Sequence, residues 1–306
     1  MWAKKAAERG FIVIAPEYRL PDKPIGYKFT PEEHGAVELC LRDARRRFAV
    51  DSNRVHLAGH LHGGDMAWDY GLAHPDEFAG IAVISGLPFK YVFAYKTNAD
   101  LTPLYIVEGG LTPGSEQVIL DLARKLISSA VNLTYVDYPT RGQENIPGEI
   151  GPILDWMSRQ KREPFPKEFK AVAARASDNR FYGIVIRELD PTRSPDPASV
   201  AENGANLKPA TIEFSMSSIS NLVKLQTQGV RQLDVWVHPK HFDFSKKLEI
   251  RINGKARFKD IPPNNPRPLL EDLRVRGDRE QAYWFKLSIG GEAGNGAGAG
   301  GGQAGQ

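Results

Sequence analysis

The chain has 306 residues, 41% of them hydrophobic and 25% charged, with a formal net charge of +3. That composition suits a folded protein of one large or two modest domains. Despite a pI near 8.8 the charge is too small to point to nucleic acid, no apolar run reaches the ~18 residues of a membrane span, and one cysteine, Cys40, excludes an intrachain disulfide. A lone thiol fits a reducing compartment without proving one. The chain reads as soluble, and cytoplasm and periplasm both stay open as compartments. Between Leu39 and Leu41, Cys40 reads as a small buried hydrophobe.

In chain order, Met1–Arg9 is an amphipathic helix ended by Gly10. Phe11–Ala15 is an unbroken apolar run and predicts a strand buried on both faces. The chain therefore reads as starting inside a βαβ array. A loop with Pro16, Pro21 and Pro24 leads to Thr30, the expected N-cap of a helix opened by Pro31-Glu32-Glu33. Val37, Leu39, Leu41, Ala44 and Phe48 are its expected apolar positions, and Arg42, Arg45, Arg46 and Arg47 its wet face. Arg54–Ala58, Gly80–Ile84, Leu104–Val107 and Leu133–Val136 read as strands. Helices are expected at His62–Ala73, at Ser115–Ser129 with Ser115 as N-cap, and at Ile150–Arg159. Strands alternating with helices predict an α/β class with a parallel sheet and helices on both faces, a three-layer sandwich.

The rhythm breaks at Lys161-Arg162-Glu163-Pro164-Phe165-Pro166. Beyond it lie short runs rich in β-branched and aromatic residues: Phe181–Leu189, Thr211–Phe214, Leu222–Leu225, Leu233–His238, Leu248–Ile252 and Tyr283–Ile289. Asn253-Gly254 signals a two-residue hairpin, and Pro268–Arg276 a short helix. The expected domains are 1–165, of α/β type, and 166–290, an antiparallel, sandwich-like β domain. The Gly/Ala-rich segment 291–306 is expected to be disordered.

The chemically informative segment is Asn53-Arg54-Val55-His56-Leu57-Ala58-Gly59-His60-Leu61-His62-Gly63-Gly64. It reads as a strand, a glycine turn and a helix, the architecture of a G-x-S-x-G nucleophile elbow. Here the frame is Gly59-x-Leu61-x-Gly63, with leucine at the tip. Leucine has no lone pair and no removable proton, so no acyl-enzyme can form there.

With Gly10–Arg19, Val50–Val55 and His74-Pro75-Asp76-Glu77-Phe78-Ala79-Gly80, this elbow resembles the α/β-hydrolase superfamily over residues 1–165. The similarity is to its prolyl-oligopeptidase-like, dienelactone-hydrolase-like and polyhydroxyalkanoate-depolymerase-like branch. The β half resembles a C-terminal module of some bacterial multidomain members. The resemblance implies a Ser-Asp-His triad, and the chain departs from it at each position. Leu61 replaces the nucleophile. In Val107-Glu108-Gly109-Gly110-Leu111-Thr112, Thr112 falls at the acid, and in Gly142-Gln143-Glu144, Gln143 falls at the base. Glutamine has no titratable nitrogen, and threonine cannot hold an imidazole as a carboxylate does. The backbone N–H of His62 is the one oxyanion donor that could persist. The loop bearing the second donor is absent, as is the family's third strand between those matched by Phe11–Ala15 and Val55–Ala58. A shortened sequence or a fragment of a longer hydrolase would explain both.

His56, His60 and His62 do not share a face across the Gly59 turn, so neither metal nor cofactor is expected. Asp65 and Asp69, at i and i+4, read as a solvated helix face, and Ser85 and Ser115 as residues that end or cap elements. The expected function is that of a catalytically inactive serine-hydrolase homologue, a pseudoenzyme serving as a binding or scaffold module. A small acyl or peptide ligand, or a protein partner, would sit over Leu61, His62 and Gln143. The alternatives are an esterase or peptidase with an unrecognised arrangement, and a fragment of a longer hydrolase.

Overall fold

The computed structural model describes residues 1–18, 26–111, 116–129, 131–144 and 146–290. Thr112, the Ser115 cap, Pro21, Pro24 and the 291–306 segment lie outside these residues.

Strands β1 (His56–His60), β2 (Gly80–Ile84), β3 (Leu104–Gly109) and β4 (Leu133–Tyr138) form one parallel sheet in that spatial order. β2 and β3 are buried along their whole length, as their continuous apolar runs predict. Their side chains alternate between two cores. Ile81, Val83, Leu104 and Ile106 pack with residues of α2 (Pro31–Arg47), α3 (His62–Ala73), α4 (Val92–Tyr95) and α5 (Glu116–Ser128). Ala82, Ile84, Tyr105 and Val107 pack instead with residues of α1 (Trp2–Ala7) and α6 (Ile150–Arg159). Helices thus cover both faces. Thr30 caps α2 as expected, in a reciprocal box with Glu33, and Pro31 occupies its first turn.

Three expectations fail here. Phe11–Ala15 forms no strand, and Ile12, Val13 and Ile14 are exposed. Apolar composition does not make a strand by itself, because its backbone groups need a neighbour's ladder. The sheet ends at β1, and no described strand pairs with its outer edge. Only Phe11 turns toward the protein, its ring 5.9 Å from that of His56. On α2, Arg45 is buried while Leu39 and Phe48 are exposed. Arg45 leaves the wet face because Glu77, at 2.7 Å, and Asp278, at 3.7 Å, await it inside. Cys40 is only partly buried.

The β half contains two facing sheets. One runs β12 (Lys255–Asp260), β11 (Leu248–Ile252), β9 (Leu222–Gln228), β8 (Ala210–Ser217), β5 (Glu168–Ala173). The other runs β13 (Phe285–Ile289), β10 (Val230–Val237), β7 (Ile184–Leu189), β6 (Arg180–Phe181). Their inner faces share one core, including Ile186, Val235, Ile212, Val223 and Ile250. Pairing is antiparallel except between β9 and β11, because the chain crosses to the other sheet as β10 and returns in its former direction. Asn253 and Gly254 both have positive φ, 50° and 78°, the conformation a two-residue hairpin turn demands. Helix α7 (Arg267–Arg276) ends at Gly277, φ 68°.

Two buried ionic groups join the halves. Arg175 bonds Asp69 through both terminal nitrogens (2.7 and 3.0 Å) and Asp178 through Nε (2.7 Å). Elsewhere Arg162 meets Asp278 at 2.9 Å, Arg276 meets Asp272 at 2.7 Å, and Arg180 meets Asp272 at 3.0 Å.

Candidate functional site

The elbow exists in three dimensions. β1 runs into Leu61, and α3 begins at His62. Leu61 has φ 54° and ψ −121°, a conformation that L residues rarely adopt. Holding it costs on the order of 1–3 kcal/mol. The surroundings enforce it: the Leu61 N–H donates to Ile84 O at 3.0 Å, and the Asp65 N–H donates to Leu61 O at 2.9 Å. Gly59 is required sterically, since a Cβ there would lie 1.8 Å from the Gly63 carbonyl oxygen. A second pair of glycines, not singled out by the motif, seats the helix. A Cβ on Gly64 would lie 2.8 Å from Gly86 Cα, and one on Gly86 would lie 2.4 Å from Gly64 C.

The loops after β3 and β4 meet beside this turn. The Gly110 N–H donates to Tyr138 O (3.0 Å) and the Leu111 N–H to Arg141 O (2.8 Å). A Cβ on Gly109 would lie 2.1 Å from Gly142 O. The segment entering Thr112 therefore lies against the one carrying Gln143, although Thr112 itself is outside the described residues. Gln143 is exposed, and its backbone carbonyl, not its amide, reaches the elbow, accepting from His60 Nε2 at 2.9 Å. Leu61 and the loop carrying Gln143 thus lie at one end of the sheet, beyond the carboxyl ends of β1 and β4.

Beside Leu61, His62 is more than half exposed, with Nδ1 3.2 Å from Asp65 Oδ2. Asp65 is buried and also accepts from the Leu87 N–H at 2.7 Å. Burial pushes its carboxyl up, and the Leu87 and His62 hydrogen bonds temper the rise. The reading of Asp65 and Asp69 as a solvated face is therefore wrong. Both are buried because Leu87 and His62 satisfy one, and Arg175 and Tyr27 the other. Sequence reasoning missed this oriented imidazole–carboxylate pair, although its i, i+3 spacing was visible. Among the described residues no serine, threonine or cysteine side chain hydrogen-bonds the ring of His60 or His62. Ser85 ends β2, buried, with φ 49°. As the first residue of α3, His62 lacks an intrahelical acceptor for its backbone N–H, as an oxyanion donor would.

His56 lies on β1 with neither ring nitrogen hydrogen-bonded. Burial, helped by Arg54, pushes its imidazole down to about 4. The unfolded chain takes up this proton near pH 6.5, and the folded chain does not. The stabilisation is thus full above about pH 6.5 and is lost as the pH falls toward 4. In His56→Phe that loss is gone. Its stability relative to the parent is expected to rise by about 2 kcal/mol between pH 7 and 4.5. Urea titrations at the two pH values measure this, and an unchanged difference would contradict a neutral, buried His56.

A cleft of about 570 Å³ is lined by Asn53, Lys161, Arg162, Glu163, His238, Lys240 and Glu280 among others, away from the elbow. A third group of residues lies deeper. His34 on α2, His74 at the end of α3, and Asp178 between β5 and β6 converge around the Asp69–Arg175 pair.

No protein-family model matches the chain, and no curated protein does. Solved structures similar to it include a Bacillus cereus carboxylesterase: 16% identity over 42% of this chain and 59% of that one, TM-score 0.33. Zea mays acyl-protein thioesterase 2 is 12% identical over 46% of this chain and 68% of that one, TM-score 0.34. Pyrococcus horikoshii acylaminoacyl peptidase is 15% identical over 40% of this chain and 24% of that one, TM-score 0.31. The chain spans 59% of the first of these and 36% of a similar thermostable esterase.

Proposed function

We propose that this chain is a catalytically inactive serine-hydrolase homologue that acts as a binding or scaffold module, its units being 1–165 and 166–290. The observation that supports it best is Leu61 at the tip of the elbow, held at positive φ with no attacking atom. The turn that would expose a nucleophile is kept, and the nucleophile is not. Gln143 supports the same reading, because a glutamine takes no proton from a hydroxyl wherever its side chain lies. In this reading Leu61, His62 and Gln143 form the surface over which a small acyl group, a peptide or a protein partner sits.

A p-nitrophenyl ester assay, run together with a fluorophosphonate probe, tests it. Neither turnover above background nor stoichiometric serine labelling is expected, and labelling of any serine would defeat the inactive assignment. The Leu61→Ser variant is expected to show no burst, since neither Thr112 nor Gln143 restores the family's acid and base to the new hydroxyl. A burst in that single variant would count against this account of Gln143, whereas serine labelling of the unaltered chain would favour a second reading, which the His62–Asp65 pair supports: an esterase or peptidase with His62 as a substitute base.

A further inference from the structure

We propose that His34, His74 and Asp178 form a binding site for one divalent cation of the zinc class, fastening the parallel-sheet half to the β half. The donor atoms all lie within 4.8 Å of one another. His34 Nδ1 is 3.4 Å and His74 Nε2 3.7 Å from the same oxygen, Asp178 Oδ1. Both separations exceed the about 2.7–3.2 Å of a formed N–H···O bond. They approach the edge of a tetrahedron whose metal–nitrogen and metal–oxygen bonds are about 2.0–2.2 Å, for which donors stand about 3.4 Å apart. The two imidazole nitrogens thus flank one carboxylate oxygen at ligand-like separations, with all three atoms within 4.8 Å of one another.

The remaining atoms of these residues are committed elsewhere, in the way metal ligands are oriented. His34 is 95% buried by side chain, and its Nδ1 has no hydrogen-bond partner. Its other nitrogen lies 3.2 Å from Asp69 Oδ2 and 2.6 Å from the Tyr27 hydroxyl. That carboxylate fixes the tautomer with Nδ1 as the lone-pair donor, the carboxylate–histidine–metal arrangement. Asp178 is fully buried, and its Oδ2 is taken by Arg175 Nε at 2.7 Å and by the Tyr95 hydroxyl. Oδ1 is left facing the imidazoles, with the Ser177 hydroxyl at 3.0 Å. His74 alone reaches toward solvent, its side chain 15% exposed, so a water completes the fourth vertex on that side. Two imidazole nitrogens and one carboxylate oxygen suit zinc-like ions better than magnesium or calcium, which prefer all-oxygen sites. Asp69 and Asp178 together outweigh Arg175 by one negative charge, so a cation here is electrostatically welcome. The site is independent of whether the elbow is active.

Calorimetric titration of the chelator-stripped full chain with zinc chloride tests the proposal. One equivalent is expected to bind. His74→Asn and Asp178→Asn should each lower the affinity at least about 100-fold, and Asp69→Asn about 10- to 100-fold. His238→Asn, at a distant histidine pair, should leave it unchanged. Absence of one-to-one binding would mean that Asp178 serves only as a hydrogen-bond acceptor for the two imidazoles. That result overturns the proposal, as does binding that survives His74→Asn or is lost in His238→Asn. Should the site variants fail to fold, zinc-edge X-ray absorption of the wild-type complex decides. A four-coordinate shell with two imidazoles supports the site, and a six-coordinate oxygen shell or a single imidazole refutes it.

Discussion

Replacing Arg175 with methionine is expected to lower the unfolding free energy by about 3–5 kcal/mol, measured by urea denaturation at neutral pH in the presence of chelator. Its guanidinium is almost fully buried and is the partner of two fully buried carboxylates, Asp69 and Asp178. It also donates to Phe29 O at 3.0 Å and stacks 4.2 Å over the Tyr91 ring. Methionine keeps much of the volume and loses the charge and the forked donors. What remains is a pair of carboxylates in the interior, and leaving a buried charge uncompensated costs more than the intact pair contributes. The pH dependence gives the check. Burial alone would raise both carboxyls, but the Arg175 charge, together with hydrogen bonds from His34 and, at Asp178, from His74, holds them below their ordinary range. That contribution is present above about pH 4 and is lost as acid protonates the native carboxylates. In Arg175→Met the carboxyls titrate upward instead, so the deficit against wild type should shrink as pH falls from 7 toward 4. A deficit under about 1 kcal/mol, or one that does not depend on pH, would mean that water already screens the pair.

The elbow carries the second large effect, of opposite sign at its two glycines. Gly59→Ala places a methyl 1.8 Å from the backbone oxygen of Gly63, where no side-chain rotation relieves the overlap. The turn must open, with a loss of about 3 kcal/mol, at the upper end of overpacking penalties. Gly63→Ala meets nothing within 4 Å and lies in the first turn of α3. It should be neutral or stabilise by up to about 1 kcal/mol, from helix propensity. Thermal or urea unfolding of the two variants separates them. Equal effects would mean that the turn is held by something other than the Gly59–Gly63 backbone approach.

How far the residues could be read alone varies along the chain. Gly80–Ile84 and Leu104–Val107 were legible because a strand covered on both faces must be apolar throughout. Thr30 and Asn253-Gly254 were legible because capping and tight turns depend on neighbours in sequence. Phe11–Ala15 has the same apolar texture as β2 and forms no strand, because a strand is a relation to a neighbour and the sheet stops at β1. Arg45, Asp65 and Asp69 look like surface residues by spacing. Their partners Glu77, Leu87 and Arg175 lie 22 to 106 residues away, and only the fold brings them together. The His34–His74–Asp178 group was hidden for the same reason.

By itself, the sequence determined what two side chains cannot do: a leucine at the bend and a glutamine in the loop after β4 cannot attack a carbonyl or carry a proton, however they are placed. It also determined the alternation of strands and helices from β1 to α6, since periodicity and caps act over a few residues. Tertiary structure alone decided which charges went inside, which apolar run joined the sheet, and which imidazoles met a carboxylate. Those outcomes depend on desolvation and on partners far apart in the chain, and both come into being only when the layers pack.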